Sequence, residues 1–85
     1  MVSTQFARFF GAAVRRSRNA QKLSQEDLAE KSDLSMRMVS LVETAKQNAS
    51  LNVADSIAQG LGVQLSRLVK DAEDLRQKAR RQKSA

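Results

Sequence analysis

Residues 25–44, QEDLAEKSDLSMRMVSLVET, constrain this chain more than any other stretch. Apolar residues return at helical spacing on both sides of a polar break. The pattern predicts two short helices joined by a tight turn through Ser32, Asp33 and Leu34. The first carries Leu28 and Ala29 inward. The second buries Val39 and Val42 and leaves Met36, Arg37, Ser40, Leu41 and Thr44 on its outer side. Ala29 is small, so the second helix can cross close above it.

The rest of the chain supplies more helix. Its 85 residues contain no proline and three glycines. Alanine, leucine, glutamine, lysine and arginine are frequent, and β-branched runs are missing. The length allows one domain with one small core. An all-α fold of five helices is expected. The first spans roughly residues 4–20, with Phe6, Phe10, Ala13 and Val14 on one face. The second opens at Ser24, a good N-cap. Asp27 lies three residues later and completes a variant of the capping box. Glu26, Asp27 and Glu30 suit the positive end of that helix.

The third helix follows Ser35 and ends near Thr44 or Ala45, before a polar loop over residues 46–50. Asn52 is the expected cap of the fourth, with Asp55 in its first turn and Val53, Ile57, Ala58 and Leu61 inward. Gly60 and Gly62 are expected to give its left-handed stop. The fifth begins near Gln64 or Leu65. Its apolar stripe is Leu65, Leu68, Ala72, Leu75 and Ala79. The first half of that stripe closes the bundle, and the second half, Leu75 and Ala79, is left for another surface. The last residues, RRQKSA, are expected to fray. The organisation predicted is a main domain over residues 1–74 and a basic helical extension over residues 75–85.

Charge narrows the function. The net charge is +6, from 15 basic and 9 acidic residues. Residues 1–25 hold Arg8, Arg15, Arg16, Arg18 and Lys22 but no acid. Such an excess points to a polyanion, either nucleic acid or an anionic membrane. A membrane-surface role is disfavoured, because the phenylalanines of the first helix are needed inside. Three phenylalanines also serve single-stranded RNA poorly, since stacking needs exposed rings. The chain has no cysteine and no histidine. Disulfides and thiolate metal sites are excluded, and the commonest general base and zinc ligand are gone. No nucleophile–base pair remains, so no enzyme, metal or cofactor is expected. Gly60 and Gly62 alone are a very weak nucleotide-binding signal. No apolar run approaches the ~20 residues of a membrane span. FFGAAV is short and followed by RRSR, unlike a secretory signal. The cytoplasm of a bacterium or a phage-infected cell is the expected location.

The two-helix pattern of residues 25–44 is the packing of a helix-turn-helix, whose second helix enters the DNA major groove. From residue 10 to residue 69 the chain resembles the Cro–repressor, or Xre-type, family. The resemblance is carried by Gly11, Arg15 and Arg18, by Leu23, Ser24 and Gln25, and by Asp27, Leu28 and Ala29. It continues through Val39, Ser40, Leu41, Val42 and Glu43 and the closing run SLNVADSIAQGLGVQLSRLV. The chain departs from the family at Asp33 and Ala45, where glycine is usual, at Leu41, often basic, and at Ala49, often proline. These departures bear on the phosphate contacts of the loop rather than on the fold.

The resemblance implies a five-helix lambda-repressor-like domain that binds double-stranded DNA. It implies that Gln25 reaches a phosphate and that Thr44, Lys46, Gln47 and Asn48 meet the backbone after the recognition helix. It also implies a buried or half-buried ion pair, Arg18 with Glu43, tying the first helix to the third. On the recognition helix, about residues 36–44, Arg37 faces outward with no acidic partner, and arginine matches guanine O6 and N7. Ser35, Met36 and Ser40 surround it. Leu41 is an apolar residue on that outward face, suited to thymine methyls or to a partner subunit. Arg8, Arg15 and Arg16 add long-range attraction. A sequence-specific transcriptional regulator is the leading reading. An antitoxin of a toxin–antitoxin pair and a restriction–modification controller are the alternatives on the same domain. A homodimer touching through Leu75 and Ala79 is expected, and a toxin or RNA polymerase stays open as a protein partner.

Overall fold

Serine hydroxyls cap three of the helix starts, and a left-handed residue turns each junction between helices. The computed structural model describes residues 3–84, with side chains over residues 6–82. The helices are α1 (Ser3–Ala20), α2 (Gln25–Ser32), α3 (Met36–Glu43), α4 (Leu51–Leu61) and α5 (Leu65–Ser84), and no strand forms among the described residues. The Ser24 hydroxyl accepts from the Asp27 N–H at 2.9 Å, and the Asp27 carboxylate accepts from the Ser24 N–H at 3.0 Å. This reciprocal cap satisfies two of the donors that a helix start leaves open. Those hydrogen bonds, backbone first, hold the Asp27 carboxyl below its usual pKa, with Lys31 adding a smaller pull. Ser35 caps α3 by accepting from the Met38 N–H at 3.0 Å.

The fourth helix is capped by Ser50 rather than by Asn52. The Ser50 hydroxyl accepts from the Val53 N–H at 3.1 Å, and Asn52 is already an exposed helical residue. Both types cap well, so composition could not choose between them. Asp55 consequently falls beyond the first turn, where its carboxylate accepts from the Gln59 amide at 2.9 Å. Of the two glycines expected to stop α4, Gly62 alone is left-handed, at φ 72°; Gly60 lies inside α4. Gly60 serves a crossing instead. A Cβ there would strike the Ser32 hydroxyl of α2. That hydroxyl is buried and has no hydrogen-bond partner. The expected fraying over RRQKSA is not seen either, because helix continues to Ser84, with Ala85 outside the described residues.

Each of the four junctions carries one left-handed residue: Lys22, Asp33, Ala45 and Gly62, with φ of 60°, 56°, 58° and 72°. Three of the four are not glycine. Asparagine and aspartate tolerate this region best, and alanine has no side-chain hydrogen bond to help it.

The core gathers Phe10, Ala13 and Val14 of α1, Leu28 and Ala29 of α2, and Val39 and Val42 of α3. Ala54, Ile57, Ala58 and Leu61 of α4 join Leu68 and Ala72 of α5. Phe6 and Val53 are half-buried at its edge. Leu75 also packs against this core, and the Arg76 guanidinium sits 5.0 Å from the Phe6 ring centre. The α5 stripe is therefore used by the bundle as far as Leu75, one turn further than its spacing suggested, because α1 begins early enough to meet it.

Helices α1 and α3 approach closely at Gly11. A Cβ on Gly11 would collide with the Val42 carbonyl and come within 2.7 Å of the Glu43 carbonyl oxygen. Alanine favours helix over glycine by about 1 kcal/mol. Backbone carbonyls at the end of α3 cannot turn aside as a side chain can, and overpacking of this kind costs about 1–3 kcal/mol or more. Gly11→Ala is therefore expected to lower stability in thermal unfolding followed by circular dichroism. A raised melting temperature would show that α1 and α3 separate without penalty.

Candidate nucleic-acid interface

The outward face of α3 rests on an ion pair set behind it. Arg18, in the last turn of α1, donates from Nε to Glu43 Oε2 at 2.6 Å and from Nη2 to Glu43 Oε1 at 3.0 Å. Its Nη1 donates to the Leu23 carbonyl at 2.8 Å. Only 2% of the Glu43 side chain and 11% of the Arg18 side chain are exposed. The hydrogen bonds to Glu43 hold the Arg18 guanidinium above its usual pKa, with partial burial opposing and the carboxylate charge adding to the rise. A planar fork matched to a carboxylate is the arrangement that makes a buried pair tolerable.

Gln25 joins this network. Its Nε2 donates to Glu43 Oε1 at 3.1 Å. The first residue of α2 is thereby tied to the last residue of α3, and the two helices of the motif share one carboxylate. Nothing in the residue spacing announced this contact; the resemblance suggested an outward role for Gln25 and an inward one for Glu43 separately. An amide nitrogen carries two N–H groups, and one remains for a group outside the protein.

The other candidate residues fall into two sets. Ser35, Met36 and Arg37 are exposed at the start of α3, with Met36 53% exposed. Among the described residues, Arg37 makes no ion pair. Ser40 and Leu41 are half-buried, so Leu41 is less of an outlier than the sequence implied. The second set follows the helix. Thr44 is exposed, but its hydroxyl donates back to the Ser40 carbonyl at 2.8 Å. Lys46, Gln47 and Asn48 are exposed in the loop. Their direction is set by left-handed Ala45 and by the Leu41 carbonyl, which accepts from the Lys46 N–H at 2.9 Å. Leu75 and Ala79 lie half-buried on α5. Among the described residues, no group of acids could hold a metal ion. No helix of the described residues is long and apolar enough to cross a membrane.

The network predicts a stability role for Glu43. Glu43→Gln removes the charge that balances buried Arg18, and breaking a buried pair from one side costs on the order of 3 kcal/mol. A lower melting temperature is expected, with Arg18→Met less harmful in the Glu43→Gln background than alone. An unchanged melting temperature would mean that the pair is solvated in solution.

The helix-turn-helix family description matches residues 14–68, which takes in α2, the turn, α3 and α4. The chain is 36% identical over 59 residues to the immunity repressor protein of Bacillus phage phi105, and spans 41% of that protein's length. It is 38% identical over 65 residues to the control protein C.MunI of a Mycoplasma species, covering 75% of this chain and 88% of that protein. The crystal structure of the restriction-modification controller protein C.AhdI from Aeromonas hydrophila superposes with a TM-score of 0.71 at 35% identity, covering 73% of this chain and 94% of that one. With the two-helix motif, its shared carboxylate and these likenesses in place, the chain belongs to the Xre-type helix-turn-helix family of DNA-binding regulators.

Proposed function

We propose that this chain acts as a transcriptional regulator that reads duplex DNA through α3 and works as a homodimer in the cytoplasm. The observation that carries the reading is the exposed, unpaired Arg37 on a short helix whose far end is anchored by Glu43. An arginine held on a rigid helix start can place both donors on guanine O6 and N7. Ser35, Met36 and Ser40 frame it, and the exposed part of Leu41 meets a thymine methyl. Gln25 gives its second N–H to a phosphate, beside the open N–H groups at the start of α2. Thr44, Lys46, Gln47 and Asn48 follow the backbone. Phosphate contacts set register and base contacts set sequence, so the two sets of residues divide the work. The action is binding, with no reaction and no cofactor assigned.

A second reading, control of a restriction–modification system, is supported by the likeness to C.MunI and C.AhdI over nearly their whole lengths. The DNA-binding chemistry is the same in both readings, and an antitoxin would share it too.

Fluorescence anisotropy on two duplexes tests the reading: one of random sequence, and the tightest binder recovered from a randomised pool. About half a dozen phosphate contacts give a slope of log K against log salt near −5. Arg37→Ala is expected to cost about 1–3 kcal/mol on the selected duplex and little on the random one. Lys46→Ala weakens both alike. A flat salt response sinks DNA binding, and equal losses for Arg37→Ala reduce it to a backbone contact.

The dimer is expected to use α5, around Ala79 and the exposed edge of Leu75, since a two-fold operator calls for a two-fold protein. Ala79→Glu is the informative change, because Leu75 also serves the core. Sedimentation should show a shift toward monomer; an unchanged dimer places the contact elsewhere.

A further inference from the structure

The positive charge of this protein is not spread over the domain. Residues 1–74 hold ten basic and nine acidic residues, a net of +1. Residues 75–85 hold five basic residues, Arg76, Lys78, Arg80, Arg81 and Lys83, and no acid. Nearly the whole excess therefore rides on the end of α5. Core packing does not explain the length of this segment. Leu75 is the last apolar side chain of α5 packed against the core among the described residues, yet helix continues to Ser84. Helix electrostatics do not explain its composition. Like charges four apart, as at Arg76 and Arg80, or three apart, as at Lys78 and Arg81, repel and weaken a helix. The macrodipole favours cations only within the last turn, and Arg76 and Lys78 stand before it.

Position adds a second argument. The Arg76 guanidinium lies over the Phe6 ring, and Phe6 lines the same apolar hollow as Asn48 and Ala49 of the α3–α4 loop. Leu65 and Val69, at the start of α5, line that hollow too, so the extension begins roughly two turns past the level of the loop. The nine further helical residues to Ser84 reach about 14 Å, which matches roughly four phosphates along one strand.

We infer that the C-terminal turns of α5 form a second grip on the DNA backbone, independent of sequence. The inference rests on the duplex-DNA reading given above. It assigns affinity to the extension and specificity to α3. A domain with a net of +1 has little long-range attraction of its own, and five cations without an intervening acid supply it.

The test is the salt dependence of binding to a 30-base-pair duplex of random sequence. The triple variant Lys78→Gln, Arg81→Gln, Lys83→Gln leaves Arg76 on Phe6, leaves Leu75 and Ala79, and keeps good helix formers throughout. The slope of log K against log salt is expected to fall in magnitude by about 2–3. The ratio of affinities for the selected and random duplexes stays as it was. A control, Arg15→Gln, Arg16→Gln, Lys31→Gln, removes the same charge from exposed positions of α1 and α2 and should change the slope less. Equal changes in the two triple variants would reduce the effect to net charge and overturn the inference. So would an unchanged slope, or a loss of binding to vesicles containing phosphatidylserine with duplex binding intact. If the unaltered protein binds no duplex, the DNA reading itself fails, which this design separates from failure of the extension alone.

Discussion

One carboxylate holds the motif together. Glu43 receives Arg18 from α1 and Gln25 from α2 while sitting on α3, and Arg18 passes on to the Leu23 carbonyl just ahead of the α2 cap. Hydrophobic burial fixes that these helices pack, but it is non-directional. The ion pair fixes rotation and height. Without it, α3 could roll on Val39 and Val42 and carry Arg37 off its line. The close approach at Gly11 belongs to the same arrangement, since it lets the end of α3 come near enough for Glu43 to reach Arg18. The positioning of the outer face is thus largely an interior matter, settled by Arg18, Glu43 and Gly11.

Much of this could be read from residue types. The helical faces of α1 and α2, the Ser24–Asp27 cap and the left-handed turn at Asp33 follow from local rules that depend on a few neighbours. What escaped the sequence depended on distance. The choice of Ser50 over Asn52 turns on where α4 must start to bring Ala54 and Ile57 inward. Gly60 looked like a stop signal, because glycine pairs often end helices, but its job is to clear Ser32 of α2. The reach of α5 into the core, as far as Leu75, depends on where α1 begins. Arg37 and the loop residues were visible as outward-facing chemistry. That Gln25 spends part of its amide on Glu43 was not, since eighteen residues separate them.

If α3 reads bases and the end of α5 holds the backbone, as proposed, affinity and specificity are carried by separate parts of the chain. Base readout needs few groups held rigidly, and α3 is short and pinned at one end. Backbone attraction needs many charges and little precision, and a helix running clear of the core is adequate for that. A domain built this way can change its recognition residues without losing its hold on DNA. It can also change its hold without disturbing its recognition.

The left-handed residues at Lys22, Asp33, Ala45 and Gly62 have a kinetic meaning. Outside glycine, such a conformation is disfavoured by roughly 1–2 kcal/mol per residue. Aspartate is tolerated there, so the bends a free chain seldom visits on its own are those at Lys22 and Ala45. The helices can flicker locally, but the corners between them close only when docking rewards them. Fragments cut at a junction should consequently lose their corners, and partly assembled states should be sparse. Folding in one cooperative step is the expected behaviour, because the bends at Lys22 and Ala45 are a result of assembly rather than a guide to it.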